Sequence, residues 1–175
     1  MGEGTVTSSL LIGAALGALG MGRISDAIGR RKAVFVLSIL FIVGVALCSL
    51  APSMSMLLTG RVVLGFAVGG ASIVVPVYLA EMSPYEIRGT YSGRNEVMIV
   101  AGQLAAFIVN AAIGNIWGHI PGIWRVMLAV AAIPAFFLLI GMFRVPESPR
   151  WLASKGKYDK AHACLLYTSD AADER

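Results

Sequence analysis

Five stretches of this chain are long enough and apolar enough to cross a bilayer, and they follow one another with little between them. They run at about 5–22, 33–50, 56–80, 96–116 and 124–143. A helix needs about 20 apolar residues to span the hydrocarbon core. Lipid also offers the backbone no hydrogen-bond partners, so a single span must satisfy itself as a helix. A soluble helical bundle would show polar faces at the helical period, and these runs show none. Composition agrees, with 57% apolar and 14% charged residues and a mean hydropathy of +0.78. An ordinary globular domain carries about 25% charged residues. The sequence therefore predicts an all-α, polytopic membrane protein.

The charges between the runs alternate in character. Residues 23–32 hold Arg23, Arg30, Arg31 and Lys32, whereas residues 51–55 hold no charge. Residues 81–95 hold Arg88 and Arg94, whereas residues 117–123 hold no Lys or Arg. With the tail from 144 onward, twelve of the fourteen Lys and Arg fall on one side. The positive-inside rule makes that side cytoplasmic, with Met1 outside and the tail inside. The net charge of +4 is thereby a matter of topology and does not signal nucleic acid. Cys48 in an apolar run and Cys164 in the tail suggest neither a disulfide nor a metal site. Glu3 precedes the first run with no basic region before it, so no signal peptide is read. The spans also lack the clustered His, Asp, Glu or Cys of a membrane-embedded enzyme, and no cofactor is expected.

Inside the spans a few residue types stand out. The stretch from Arg61 to Gly89 places Gly65, Gly69, Gly70, Ser72 and Pro76 in an apolar run. Gly and Pro cost about 1 and 3 kcal/mol within a water-exposed helix, but small residues let helices in a membrane approach closely. Gly13, Gly17 and Gly20 in the first run fit the same use, and 33–50 reads as scaffold. Arg61 sits near the outer end of its span, where a long side chain reaches the interface. Gln103 and Asn110 are seven residues apart, hence on one helix face, and bracket the middle of the bilayer. Amides facing lipid are costly, so these should face protein or a watery cavity. Their donors and acceptors suit the hydroxyls of a polar solute, and bonding between helices is the alternative. Trp117 and Trp124 fit an interfacial aromatic belt.

The first charged loop reads Gly22-Arg23-Ile24-Ser25-Asp26-Ala27-Ile28-Gly29-Arg30-Arg31-Lys32. Gly22 and Gly29 are expected to make a sharp connection, with Asp26 free to cap a helix N-terminus. This loop resembles the signature loop between the second and third helices of the major facilitator superfamily. Pro76-x-Tyr78-x-x-Glu81-x-x-Pro84-x-x-x-Arg88-Gly89 resembles the pattern after the fourth helix in its sugar-porter family. Pro146-Glu147-Ser148-Pro149-Arg150-Trp151-Leu152 is similar to that family's marker after the sixth. Arg61 with Gly65 and Gly69, and Trp124-Arg125, match as well. The resemblance implies a cytoplasmic salt-bridge network of Asp26, Arg30, Arg31, Glu81, Arg88, Glu147 and Arg150 that closes an inner gate. Such a latch should be weak and distributed, and single exposed ion pairs are worth about 0–1 kcal/mol. The resemblance further implies a sugar contact at Gln103, a second at Asn110, and a proton-coupling role for Arg61 opposite an acid on the first helix.

On this reading the chain is helices two to six of a twelve-helix transporter, an incomplete N-terminal six-helix bundle. Residues 5–145 form the transmembrane bundle and 146–164 begin a cytosolic helical region. Residues 165–175, which contain the run LLYTSDAADE, break the pattern, and that run resembles a translated sequencing adapter, so a non-native or disordered tail is expected. The expected function is movement of a monosaccharide or polyol across the cytoplasmic membrane by alternating access, coupled to H+. Facilitated diffusion and a transporter-fold sugar sensor are the alternatives. The partners implied are the sugar, H+, the bilayer, and the first helix and C-terminal half of the same protein.

Overall fold

A computed structural model describes residues 2–83, 88–120 and 122–162. Among these residues the chain is helical, with no strand: α1 (Gly2–Ile28), α2 (Arg30–Ser49), α3 (Met54–Met82), α4 (Arg88–Trp117), α5 (Ile123–Val130), α6 (Ala132–Met142) and α7 (Pro149–Ser154). Five spans are long and apolar enough to cross a membrane: Gly4–Ile28, Arg30–Ser49, Met54–Met82, Gly93–Trp117 and Ile123–Met142. The shortest of these has 20 residues, about 30 Å at 1.5 Å per residue.

The helices run past the apolar segments that foretold them. α1 continues through Gly22, which stays helical, and stops only at Gly29, the single residue joining it to α2. Gly29 has φ 104°, a conformation open to residues without a Cβ. Being glycine, it offers α2 no side-chain cap. Asp26 does not cap α2 either; it remains in the last turn of α1. At the far end of α2, Ser53 caps α3 by accepting from the Met56 N–H.

The last apolar run is divided in two. Pro134 has no N–H to offer the Val130 carbonyl, and its ring crowds that turn. The helix breaks at Ala131, whose N–H bonds to Leu128 O at 3.1 Å in a tighter turn. Pro76 leaves α3 unbroken.

α3 is the axis of the packing. Its Gly65 and Gly69 lie against the backbone of Leu10 and Ala14 on α1, while Gly13 and Gly17 of α1 lie against Val62 and Phe66 on α3. A methyl group added at any of the four would overlap a carbonyl oxygen of the other helix. This is the small-xxx-small seam that lets two membrane helices meet backbone to backbone. Gly20 takes no part, having nothing within 4 Å of its would-be Cβ. Gly44 of α2 and Gly60 of α3 make the second seam, against Leu64 and Cys48. Two buried clusters follow from these contacts. One, at the basic end, gathers Met21, Ala33, Val34, Leu37, Val74, Tyr78 and Met142; the other holds Val45, Cys48 and Leu64.

Candidate functional site: the basic end and the amide face

Arg30 opens α2 and is held between two carboxylates. Its Nη2 lies 2.7 Å from Asp26 Oδ1, and its Nε lies 3.1 Å from Glu81 Oε2 at the end of α3. The Nε contact is an ion pair rather than an aligned hydrogen bond. The Arg30 and Glu81 side chains are each 13% exposed, whereas Asp26 is 67% exposed. Solvent therefore screens the Asp26 arm far more than the Glu81 arm. Arg30 Nη1 also donates to Ser25 O at 3.3 Å.

The segment after α6 closes over this pair. Ser148 caps α7, accepting from Trp151 N at 3.2 Å, and its hydroxyl donates to Glu81 Oε2 at 2.5 Å. Glu147 Oε1 accepts from the N–H of Arg31 at 2.8 Å and from that of Ser148 at 3.1 Å. The Glu147 carboxylate thus supplies, from 116 residues away, the cap that Gly29 lacks, where a helix dipole favours negative charge. A Cβ on Gly29 would strike Glu147 Oε2. Arg31 does the reverse for α6: its Nε and Nη2 donate to Met142 O at 2.9 Å and Phe143 O at 2.8 Å, satisfying carbonyls at a helix C-terminus. Tyr78 donates its hydroxyl to Pro146 O, and Trp151 Nε1 donates to Asp26 O at 2.9 Å.

Asp26, Arg30, Arg31, Glu81 and Glu147 are thus brought together on four elements. Arg150 is exposed and makes no ion pair among the described residues. The Arg88 side chain lies outside the described residues, as do Pro84 and the tail 165–175. Gly29 makes the sharp connection expected of it, whereas Tyr78, Ser148 and Trp151 carry no role of their own in the sequence reading. Their signal was in the same motifs, where Ser-Pro reads as an N-cap followed by Pro at the first helical position.

The other half of the candidate site lies along α4. Gln103 and Asn110 are exposed, seven residues or about 10 Å apart along the axis. Every side chain from Glu96 to Ala112 is likewise exposed. Arg61, two turns into α3, is half-buried, and its Nε is buried without a hydrogen-bond partner among the described residues. An unmet donor of this kind costs about 1–3 kcal/mol or more when charged. Arg125, at the same end, is satisfied: its Nη2 donates to Ala51 O at 3.0 Å, and its own carbonyl accepts from Ser49 Oγ at 3.0 Å. His119 is exposed nearby.

This arrangement has close counterparts. The family profile described as "Sugar (and other) transporter" matches residues 2–175. The chain is 54% identical over 168 residues to the "Major myo-inositol transporter IolT" of Bacillus subtilis, covering 96% of this chain and 36% of that protein. It is 41% identical over 169 residues to the "Galactose-proton symporter" of Escherichia coli, covering 97% and 35%. It superposes on the xylose transporter XylE of E. coli, in a partially occluded inward-open conformation, with a TM-score of 0.87 and 31% identity, covering 98% of this chain and 46% of that one. The chain thus spans about a third of the length of these curated relatives. It is an integral, multi-pass membrane protein, and it belongs to the sugar-porter family of the major facilitator superfamily.

Proposed function

We propose that this chain is the part of a sugar porter that carries the inner gate and one wall of the solute path. The whole protein moves a monosaccharide or polyol across the cytoplasmic membrane by alternating access, in symport with H+. The observation that carries this reading is the match of the whole bundle to XylE, which is described as a proton:xylose symporter and has been seen with 6-bromo-6-deoxy-D-glucose bound. The names of the relatives, an inositol transporter and a galactose-proton symporter, support the same solute class.

The residues take the following roles. Gln103 and Asn110 contact the sugar from α4. Arg61, with its unmatched Nε, faces the proton-carrying acid. The basic end lies in the cytosol, where Asp26, Arg30, Arg31, Glu81, Arg88, Glu147 and Arg150 form the closing latch. The Arg30–Glu81 pair is the strong link, and the Asp26 arm is a weak one that solvent opens readily.

Uptake by the full-length protein in liposomes tests this. Saturable sugar uptake that rises with an inward proton gradient is expected. Uptake indifferent to the gradient would leave facilitated diffusion, and binding without uptake would make the protein a sensor.

A further inference from the structure

A cavity of about 750 Å3 opens at the basic end between the start of α2, the end of α6 and the segment around α7. Its size falls in the range of ligand pockets. Two kinds of surface meet in it. Ile28, Phe35, Val36, Met142 and Phe143 make an apolar wall, and Lys32, Lys157 and Lys160 stand at the rim. Val36 is 41% exposed and Phe143 64% exposed; Val36 lies nearly two turns into the apolar span Arg30–Ser49 and Phe143 just past the span Ile123–Met142.

The charges are poised for an anion. Arg31 also lines the cavity, but its guanidinium is already committed to the carbonyls of Met142 and Phe143. The Glu147 carboxylate is also in the lining, and its Oε1 accepts two backbone N–H groups. The three lysines are exposed, and none has an ion-pair partner among the described residues. A free phosphate would use the rim and leave the apolar wall wet. A phospholipid fits both, its phosphate among the ammonium groups and its acyl chain on Val36 and Phe143.

We propose that this cavity holds the headgroup of an anionic phospholipid, bound by Lys32, Lys157 and Lys160. The lipid thereby ties the α7 segment to the start of α2. The inference does not rest on the transport reading, since it needs only a membrane protein with this end at a lipid surface. Each lysine near an anionic surface is worth about fivefold in affinity.

Native mass spectrometry of the purified chain, titrated with dioleoyl phosphatidylglycerol, tests the proposal. Phosphatidylglycerol should be retained in preference to dioleoyl phosphatidylcholine, and millimolar inorganic phosphate should not displace it. The triple variant Lys32→Gln, Lys157→Gln, Lys160→Gln should bind at least tenfold more weakly. The triple Lys→Arg variant at these positions should bind as the parent does, which separates charge from folding. A second triple variant, Arg23→Gln, Arg144→Gln, Lys155→Gln, removes the same charge outside the lining and should change affinity less than threefold. Equal loss in both glutamine variants, equal retention of phosphatidylcholine, or displacement by phosphate would overturn the proposal. So would a tenfold gain on deleting residues 165–175, which would make the acidic tail the occupant.

Discussion

Along α3, Gly65 and Gly69 let the backbone of α1 come into contact, whereas along α4 every side chain from Glu96 to Ala112 is exposed. Both helices are apolar spans of similar length, 29 and 25 residues. What separates them is where small and polar residues fall. The glycines of α1 and α3 recur four apart on one face and match across the pair, so the seam is complete within the chain. α4 carries no such stripe toward α3. Its distinctive residues are two amides, which lipid would penalise and a polar solute would satisfy. A packed seam gives a rigid scaffold; α4 is exposed on all its faces between Glu96 and Ala112, and its two amides are what a solute or another helix would have to satisfy.

The comparison breaks first if the seam proves soft. Gly69→Val places a side chain on the Ala14 carbonyl and should destabilise the chain by about 3 kcal/mol or more, the top of the usual overpacking range. Detergent-unfolding titrations followed by far-UV circular dichroism check this; an unmoved midpoint would remove the seam as the source of stability. Next in size is Arg30→Ala, which strips the cation from the mostly buried Glu81 and should cost about 2–3 kcal/mol. A double-mutant cycle with Glu81→Gln should return a coupling on the order of 1–2 kcal/mol. Asp26→Asn acts on the solvent-exposed arm of the same arginine and should cost no more than about 1 kcal/mol. Gln103→Ala should be the smallest of all on stability, within about 0.5 kcal/mol. The same substitution in the full-length protein should abolish sugar binding, measured by equilibrium dialysis. A large stability loss there would turn Gln103 into a packing residue and dissolve the contrast.

The spans were legible because twenty apolar residues in a row admit few folds, and the family was legible because three charged motifs kept their order. Finer features were hidden for physical reasons. The break at Ala131 follows from Pro134, but Pro76 leaves its helix intact, so proline alone does not announce a break. Gly13, Gly17 and Gly20 look alike in sequence, yet only the first two face α3, since a glycine's role depends on the helix opposite. Glu147 Oε1 also accepts the Arg31 N–H at the start of α2, a partner 116 residues away that no local pattern encodes. Arg31 likewise binds carbonyls at the end of α6. The basic end is therefore held by helix caps as much as by ion pairs.

The central claim is that the amide face of α4 lines a watery path for the sugar. It is tested most directly by thiol labelling of the full-length protein with its own cysteines, Cys48 and Cys164 among them, replaced by serine. Gln103→Cys and Asn110→Cys should react with a membrane-impermeant maleimide, and sugar should slow both reactions. Ala105→Cys, on the opposite face of the same helix, should stay unreactive. Labelling at Ala105→Cys with none at Gln103→Cys, or labelling that sugar leaves unchanged, would contradict the account.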